Sequence, residues 1–203
     1  MISSFKKIIK QSRGFTLVET LVAVLLLTTA IVGPITIASK GLTASVVAKD
    51  QITAFFLAQD AVENVRFIRE SNRLGGYAWL AGLDGSPNGG LTTGDATCQS
   101  NNCCVDSNGS RSCYMDSRLG TVASCAGTCS TPLRYDATNG YFLTTGGGSP
   151  TAQNFRRTVK IINNPGGSTP NEATVIVTVT WNYNIASGIT RSVEVRETLF
   201  NWQ

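Results

Sequence analysis

The 203-residue sequence predicts an α+β protein. One long N-terminal helix, transmembrane in its first part and amphipathic in its second, packs on a small antiparallel β-sheet head. Three observations predict it. Residues 15–38 are almost uninterruptedly apolar, residues 39–72 switch to helical amphipathic spacing, and residues 155–202 alternate with the period of strands.

The apolar segment is about 24 residues long, enough at 1.5 Å per residue to cross a hydrocarbon core of about 30 Å. Only Glu19 and the Gly33-Pro34 pair interrupt it. Proline removes one backbone hydrogen bond, so Gly33 and Pro34 are expected to kink or loosen the helix. Beyond Lys40, the residues Val47, Ile52, Phe55, Val62, Val65 and Ile68 recur at helical spacing among charged neighbours and predict the face that meets the head. Gly75-Gly76 ends the helix.

Residues 75–150 are rich in Gly, Ser, Thr and Asn, with Asp84-Gly85, Asn108-Gly109 and Gly146-Gly147-Gly148 as turn signals. So few apolar residues cannot bury much area, and the segment is expected to be loop held by staples. The six cysteines, Cys98, Cys103, Cys104, Cys113, Cys125 and Cys129, all fall within it. An even, clustered count in an exported domain is expected to be a disulfide framework whose pairing the sequence leaves open. A Cys103–Cys104 bridge would close a strained ring, so each is expected to pair elsewhere. From Phe155 onward three strands are expected, at residues 155–161, 173–183 and 190–202, with Val175, Val177, Val179 and Trp181 sharing one side of the second. Short links make them an antiparallel meander, and the amphipathic part of the helix is its natural cover.

The segment Gly14-Phe15-Thr16-Leu17-Val18-Glu19 follows a basic leader holding Lys6, Lys7, Lys10 and Arg13. A secretory signal places its apolar region before the cleavage point and loses it. Here the apolar region follows Gly14, so a cut there would leave it on the mature chain. These residues resemble the type IV prepilin family, which includes minor pilins and pseudopilins: a basic leader, Gly, Phe at the new N-terminus and Glu fifth from it. The likeness spans about the first third of the chain. It implies cleavage between Gly14 and Phe15 by a prepilin peptidase, methylation of the Phe15 amine, and assembly with other pilin or pseudopilin subunits after residence in the membrane. It further implies that Glu19 meets the Phe15 amine of a neighbouring subunit. A carboxylate in lipid costs about 3 kcal/mol and demands a partner. The tail, Val175 to Trp181, Arg191-Ser192-Val193 and Leu199-Phe200-Asn201-Trp202, is similar to the end of V-type minor pilins and their secretion counterparts.

The expected organisation is a leader at 1–14, an assembly helix at 15–38, an amphipathic helix at 39–74, a disulfide-stapled loop region at 75–150 and a C-terminal sheet at 151–203. The formal charge of +4 belongs to the leader: without its four basic residues, the 17 Lys and Arg fall to 13, against 13 Asp and Glu. Nothing then argues for a nucleic-acid partner, and the positive-inside rule keeps the leader cytoplasmic and the bulk outside. The chain has no histidine, the commonest general base and metal ligand, and no phosphate loop or acid pair with evident spacing. An enzyme is therefore not expected, nor any cofactor. Zinc or iron–sulfur ligation by the cysteines, a glycan on Asn108-Gly109-Ser110 and calcium at residues 84–88 are the weaker alternatives. The expected role is structural, the stapled segment setting adhesion or priming specificity. The alternative is a permanently tethered binding protein.

Overall fold

A sheet with one apolar face needs a cover, and the chain supplies it from its own N-terminal helix. We describe a computed structural model for residues 14–86, 89, 93–94, 104–116, 118, 120–125, 129–144, 148–151, 154–163, 171–184 and 188–201. The chain divides into two compact units, Met1–Val46 and Val47–Gln203. The helix α1 (Leu17–Leu74) contributes to both.

In the second unit, three long strands form the expected meander. β8 (Arg156–Asn163), β9 (Glu172–Asn184) and β10 (Ile189–Phe200) pair antiparallel in sequence, with Val159, Val177 and Val195 in one row and Ile161, Val175 and Glu197 in another. Val175, Val177, Val179 and Trp181 are buried together, as strand alternation requires. The α1 face that joins their core cluster is Ala54, Leu57, Ala58, Ala61, Val62, Val65 and Ile68. This corrects part of the sequence expectation: Ile52 and Phe55 lie outside the core, 56% and 43% exposed. Ala54, Ala58 and Ala61 are fully buried in that cluster. The hydrophobic spacing of Ile52 and Phe55 is equally helical but belongs to another face.

The helix ends as a Schellman motif. The Tyr77 amide donates to the Asn72 carbonyl at 2.8 Å and the Gly76 amide to Arg73 at 3.2 Å, with Gly76 at φ +73°. A side chain on Gly75 would meet the Tyr77 ring at 2.8 Å. Buried Asn72 then donates its amide to the carbonyls of Trp79 and Ala81, fixing the exit of the chain.

The segment expected as loop contains short strands instead. β1 (Thr93–Gly94), β2 (Val105–Asp106), β3 (Ser112–Asp116) and β4 (Thr121–Cys125) extend the main sheet, whose order among the described residues is β1-β4-β3-β8-β9-β10 with β2 also on β8. β5 (Arg134–Asp136), β6 (Tyr141–Leu143) and β7 (Ser149–Pro150) form a second, smaller sheet. Pairing makes these strands, β2 and β3 on β8, β4 on β3, β1 on β4 and β6 and β7 on β5, since their own sequences are too short and polar to declare themselves. A column of rings joins the two sheets: Tyr135 to Phe142 at 5.1 Å, Phe142 to Phe155 at 6.1 Å and Phe155 to Trp181 at 6.1 Å. Buried Asp116 adds a polar tie, accepting from the Thr144 amide at 3.0 Å and hydroxyl at 3.1 Å.

One buried cation crosses the layers. Arg157 of β8, on the apolar side of its strand, donates to the Leu57 carbonyl at 2.9 Å, to Asp60 Oδ2 at 2.6 Å and to the Met115 carbonyl. It thus joins α1, β8 and β3 through one guanidinium. Removing it leaves buried acceptors unsatisfied. Arg157→Ala is expected to cost about 3 kcal/mol, against under about 1 kcal/mol for Arg66→Ala at its more exposed pair with Glu63 and Glu197. Urea unfolding of the full chain in detergent, followed by tryptophan fluorescence, separates the two. Equal midpoints for both variants would show that Arg157 is no lock.

The turn after β2 is built on Asp106. Its carboxylate accepts from the Gly109 amide at 2.5 Å, the Ser110 hydroxyl at 2.8 Å and the Arg111 amide at 2.7 Å. Burial alone would raise this carboxyl, but the hydrogen bonds outweigh it and hold it below the usual carboxylate range. A depressed folded value stabilises the head above the unfolded value of about 4 and is lost as pH falls through the folded one. Acidification below about pH 4 is expected to release the Arg111 amide to hydrogen exchange. An amide that stays equally protected through that range would remove the carboxylate from this role.

Candidate functional site at the N-terminal helix

Among the described residues of the first unit, α1 runs from Leu17 to Val46 with its apolar side chains exposed. An 18-residue window of α1 reaches a mean hydropathy of 2.4 with none of it buried. Phe15, Leu17, Val18, Leu21 and Leu25 are all exposed. Its hydroxyls are satisfied along the helix itself: Thr20 to the Leu17 carbonyl at 2.8 Å, Thr28 to Leu25 at 2.9 Å, Thr36 to Gly33 at 2.7 Å and Ser39 to Ile35 at 2.9 Å. That arrangement suits a lipid surroundings, where no water completes a polar group.

Gly14, Phe15 and Thr16 precede the helix in irregular backbone, and α1 begins at Leu17. These three residues are exposed. Thr16 caps the helix: its Oγ1 accepts from the Glu19 amide at 3.2 Å, and its carbonyl accepts from the Thr20 amide at 3.2 Å. Thr16-Leu17-Val18-Glu19 has the sequence form of a capping box. Sequence reasoning missed this role of Thr16, although the pattern was there. Glu19 lies in the first turn, where the helix dipole favours a negative charge. One position thus serves two demands, a helix start and a charge placed at the edge of the apolar span.

Gly33 and Pro34 do not interrupt the helix assignment, and a side chain on Gly33 would meet nothing within 4 Å. Proline still leaves the carbonyl four residues earlier without its amide donor. The pair is a soft point in a continuous helix and not its end.

Two of the cysteine pairings are described. Cys104 bonds Cys113, Cα atoms 5.1 Å apart, and Cys125 bonds Cys129, 5.3 Å apart. The first joins two segments that share one edge of β8, since β2 pairs with Ile161 and Ile162 and β3 with Val159. The second brings the chain back over β8, where the Cys129 amide donates to Thr158 Oγ1 at 3.2 Å. Cys98, Cys103, Trp202 and leader residues 1–13 lie outside the described residues. Among the described residues no group of three or more His, Cys, Asp or Glu is placed to hold a metal. The Asp84-Gly85-Ser86 segment is a turn in which Asp84 Oδ1 accepts from the Ser86 amide at 2.9 Å.

A family model, the prokaryotic N-terminal methylation motif, matches residues 9–33. The chain carries the type IV prepilin signature. The match begins in the leader, spans Gly14, Phe15 and Glu19, and stops at Gly33, so the head lies beyond it. No curated protein and no solved structure matches the chain. The signature, the α+β build and the exposed apolar helix support a type IV pilin-like or pseudopilin-like reading of the chain.

Thr16→Ala is expected to fray the first turn, costing about 1 kcal/mol locally. Hydrogen exchange at the Glu19 amide of the detergent-solubilised chain would then rise about fivefold, while exchange in β9 stays unchanged. An unmoved Glu19 amide would show that Thr16 does not cap the helix.

Proposed function

We propose that this chain is a minor pilin or pseudopilin of a type IV pilus-like filament. Prepilin peptidase cuts between Gly14 and Phe15 and methylates the new amine. The mature subunit waits in the membrane through residues 15–38 with its head outside. It then enters a filament, where neighbouring helices replace lipid around the apolar span. Glu19 pairs with the Phe15 amine of an adjacent subunit, which removes the cost of a lone carboxylate and sets the stagger of the helices. The soft point at Gly33-Pro34 lets the helix adjust its rise on assembly.

The observation that carries this reading is the register. The signature places Gly14, Phe15 and Glu19 at fixed spacing, and that spacing coincides with an irregular segment followed by a capped helix start. A permanent anchor needs only the apolar length and a helix cap, and leaves the fixed spacing of Gly14 and Phe15 before Glu19 without a purpose.

Mass spectrometry of the native N-terminus, from membrane and sheared surface fractions, tests it. A chain beginning at N-methylated Phe15 and present in the sheared fraction is expected. Glu19→Gln is expected to leave cleavage intact and lower recovery in the sheared fraction by about tenfold or more. An intact leader in membranes alone would establish the tethered binding protein instead. Unchanged shearing of the Glu19→Gln protein would remove the ion pair from assembly.

A further inference from the structure

Two Asn-Gly pairs lie in described turns of the head, Asn108-Gly109 and Asn139-Gly140. The pair is chemically fragile. The glycine nitrogen can attack the side-chain carbonyl carbon of asparagine, because glycine puts no side chain in the way. A C–N bond forms, the asparagine amide leaves as ammonia with the proton of the attacking nitrogen, and water opens the resulting ring to aspartate or isoaspartate. The attacking nitrogen must first give up its proton.

At Asn108-Gly109 the fold demands the fragile pair. Gly109 has φ +71°, and a Cβ there would meet Ile162 Cδ1 at 3.0 Å, so both backbone and space call for glycine. Asn108 is exposed to water. Three restraints hold the turn. The Gly109 amide, the would-be nucleophile, donates its proton to Asp106 Oδ1 at 2.5 Å. Asn108 Oδ1 accepts from the Ser110 amide at 3.1 Å, which fixes the carbonyl under attack. The Cys104–Cys113 bond closes a ring of chain around all of these residues. A carboxylate that accepts an amide proton opposes its loss twice, by occupying the proton and by disfavouring a second negative charge beside it. The Ser110 hydroxyl is also engaged, on Asp106 Oδ2, and so is not free to assist glycan transfer to Asn108.

We infer that Asn108 is a latent deamidation site, kept intact by the Asp106 carboxylate and the Cys104–Cys113 ring. Conversion is one-way. It sets a second carboxylate next to Asp106, and the isoaspartate form also lengthens the backbone inside the ring, so both products loosen the turn that made them rare. In an exported head the state of residue 108 then records whether this ring has ever been open.

The test compares the full-length protein, Asp106→Asn and Cys104→Ser/Cys113→Ser, each incubated in detergent at neutral pH and digested for mass spectrometry. Asn139-Gly140 serves as an internal control. It has its own turn, with the Asn139 side-chain amide on Asp136 Oδ2 at 2.9 Å and the Gly140 amide on the Asp136 carbonyl at 2.8 Å. Asp106→Asn is expected to speed conversion of Asn108 about fivefold, the difference between a charged and a neutral acceptor, without changing Asn139. The ring-opened variant is expected to speed Asn108 at least as much. An unchanged Asn108 rate in Asp106→Asn would overturn the inference. If both asparagines accelerate, the substitution has unfolded the head, and hydrogen exchange at the Gly109 amide of the unsubstituted protein decides. Protection there supports the guard, and exchange at the rate of a free peptide overturns it.

Discussion

The head depends on one contact, the alanine-lined face of α1 against the valine face of β8, β9 and β10. The meander cannot stand alone, because Val175, Val177, Val179 and Trp181 would present an open apolar surface to water. Ala54, Ala58 and Ala61 are fully buried with Leu57, Val62, Val65 and Ile68 in one cluster with these valines, so the helix covers the face that water would otherwise meet. Everything else in the head is attached to this pair of layers. β3 and β2 extend the sheet from the free edge of β8, the second sheet hangs from Phe155 and Asp116, and Arg157 reaches through to hold the layers in register. The helix that carries the exposed apolar span is thereby committed to the fold, since its second half supplies part of the core.

The same helix therefore obeys two solvents. From Leu17 to Val46 its apolar residues are exposed and its hydroxyls turn back on the backbone, which is how a helix satisfies itself in lipid. From Val47 onward it is one-sided, with charged residues such as Glu63 and Arg66 facing out and paired. No break separates the two regimes, although Pro34 lies in the first. The proline removes one hydrogen bond within the helix itself, so it is the weakest turn of the apolar half.

How far the sequence foretold this follows from where information is local. The methylation motif is a fixed string, and its match to residues 9–33 agrees with what the string alone implied. The long strands β8, β9 and β10 declare themselves by alternation over eight residues or more. The core face of α1 was only half legible, because alanine carries a weak hydrophobic signal and Phe55 a strong one, yet the core takes the alanines and leaves Phe55 outside. β1 to β7 were hidden: stretches of two to five residues such as Thr93–Gly94 and Ser149–Pro150 are strands only because a partner lies beside them. The pairing of Cys104 with Cys113 depends on the same long-range event. Arg157 left a trace, a charge on the apolar side of a strand between Phe155 and Val159, but its partners on α1 and β3 lie 42 to 100 residues away.

Glu19 brings these strands of reasoning to one residue. As the third residue of a capped helix it is favoured by the dipole in any solvent, which alone would explain an acid near the start of α1. Capping does not explain the rest of its setting. A cap operates with or without Gly14 and Phe15 at fixed distance before it, and a surface helix would satisfy it without placing some twenty apolar residues after it. The assembly reading uses all of these at once: the cut frees an amine four residues from the carboxylate, and the irregular backbone at Gly14 and Phe15 leaves that amine free to turn toward another chain. Within its own chain the Phe15 amine lies at the helix start, whose dipole is positive and repels it. An acid on a neighbour is the better partner, and the same acid is already oriented by the cap. On the assembly reading the local device prepares the intermolecular one, because a capped first turn orients Glu19 within its own chain.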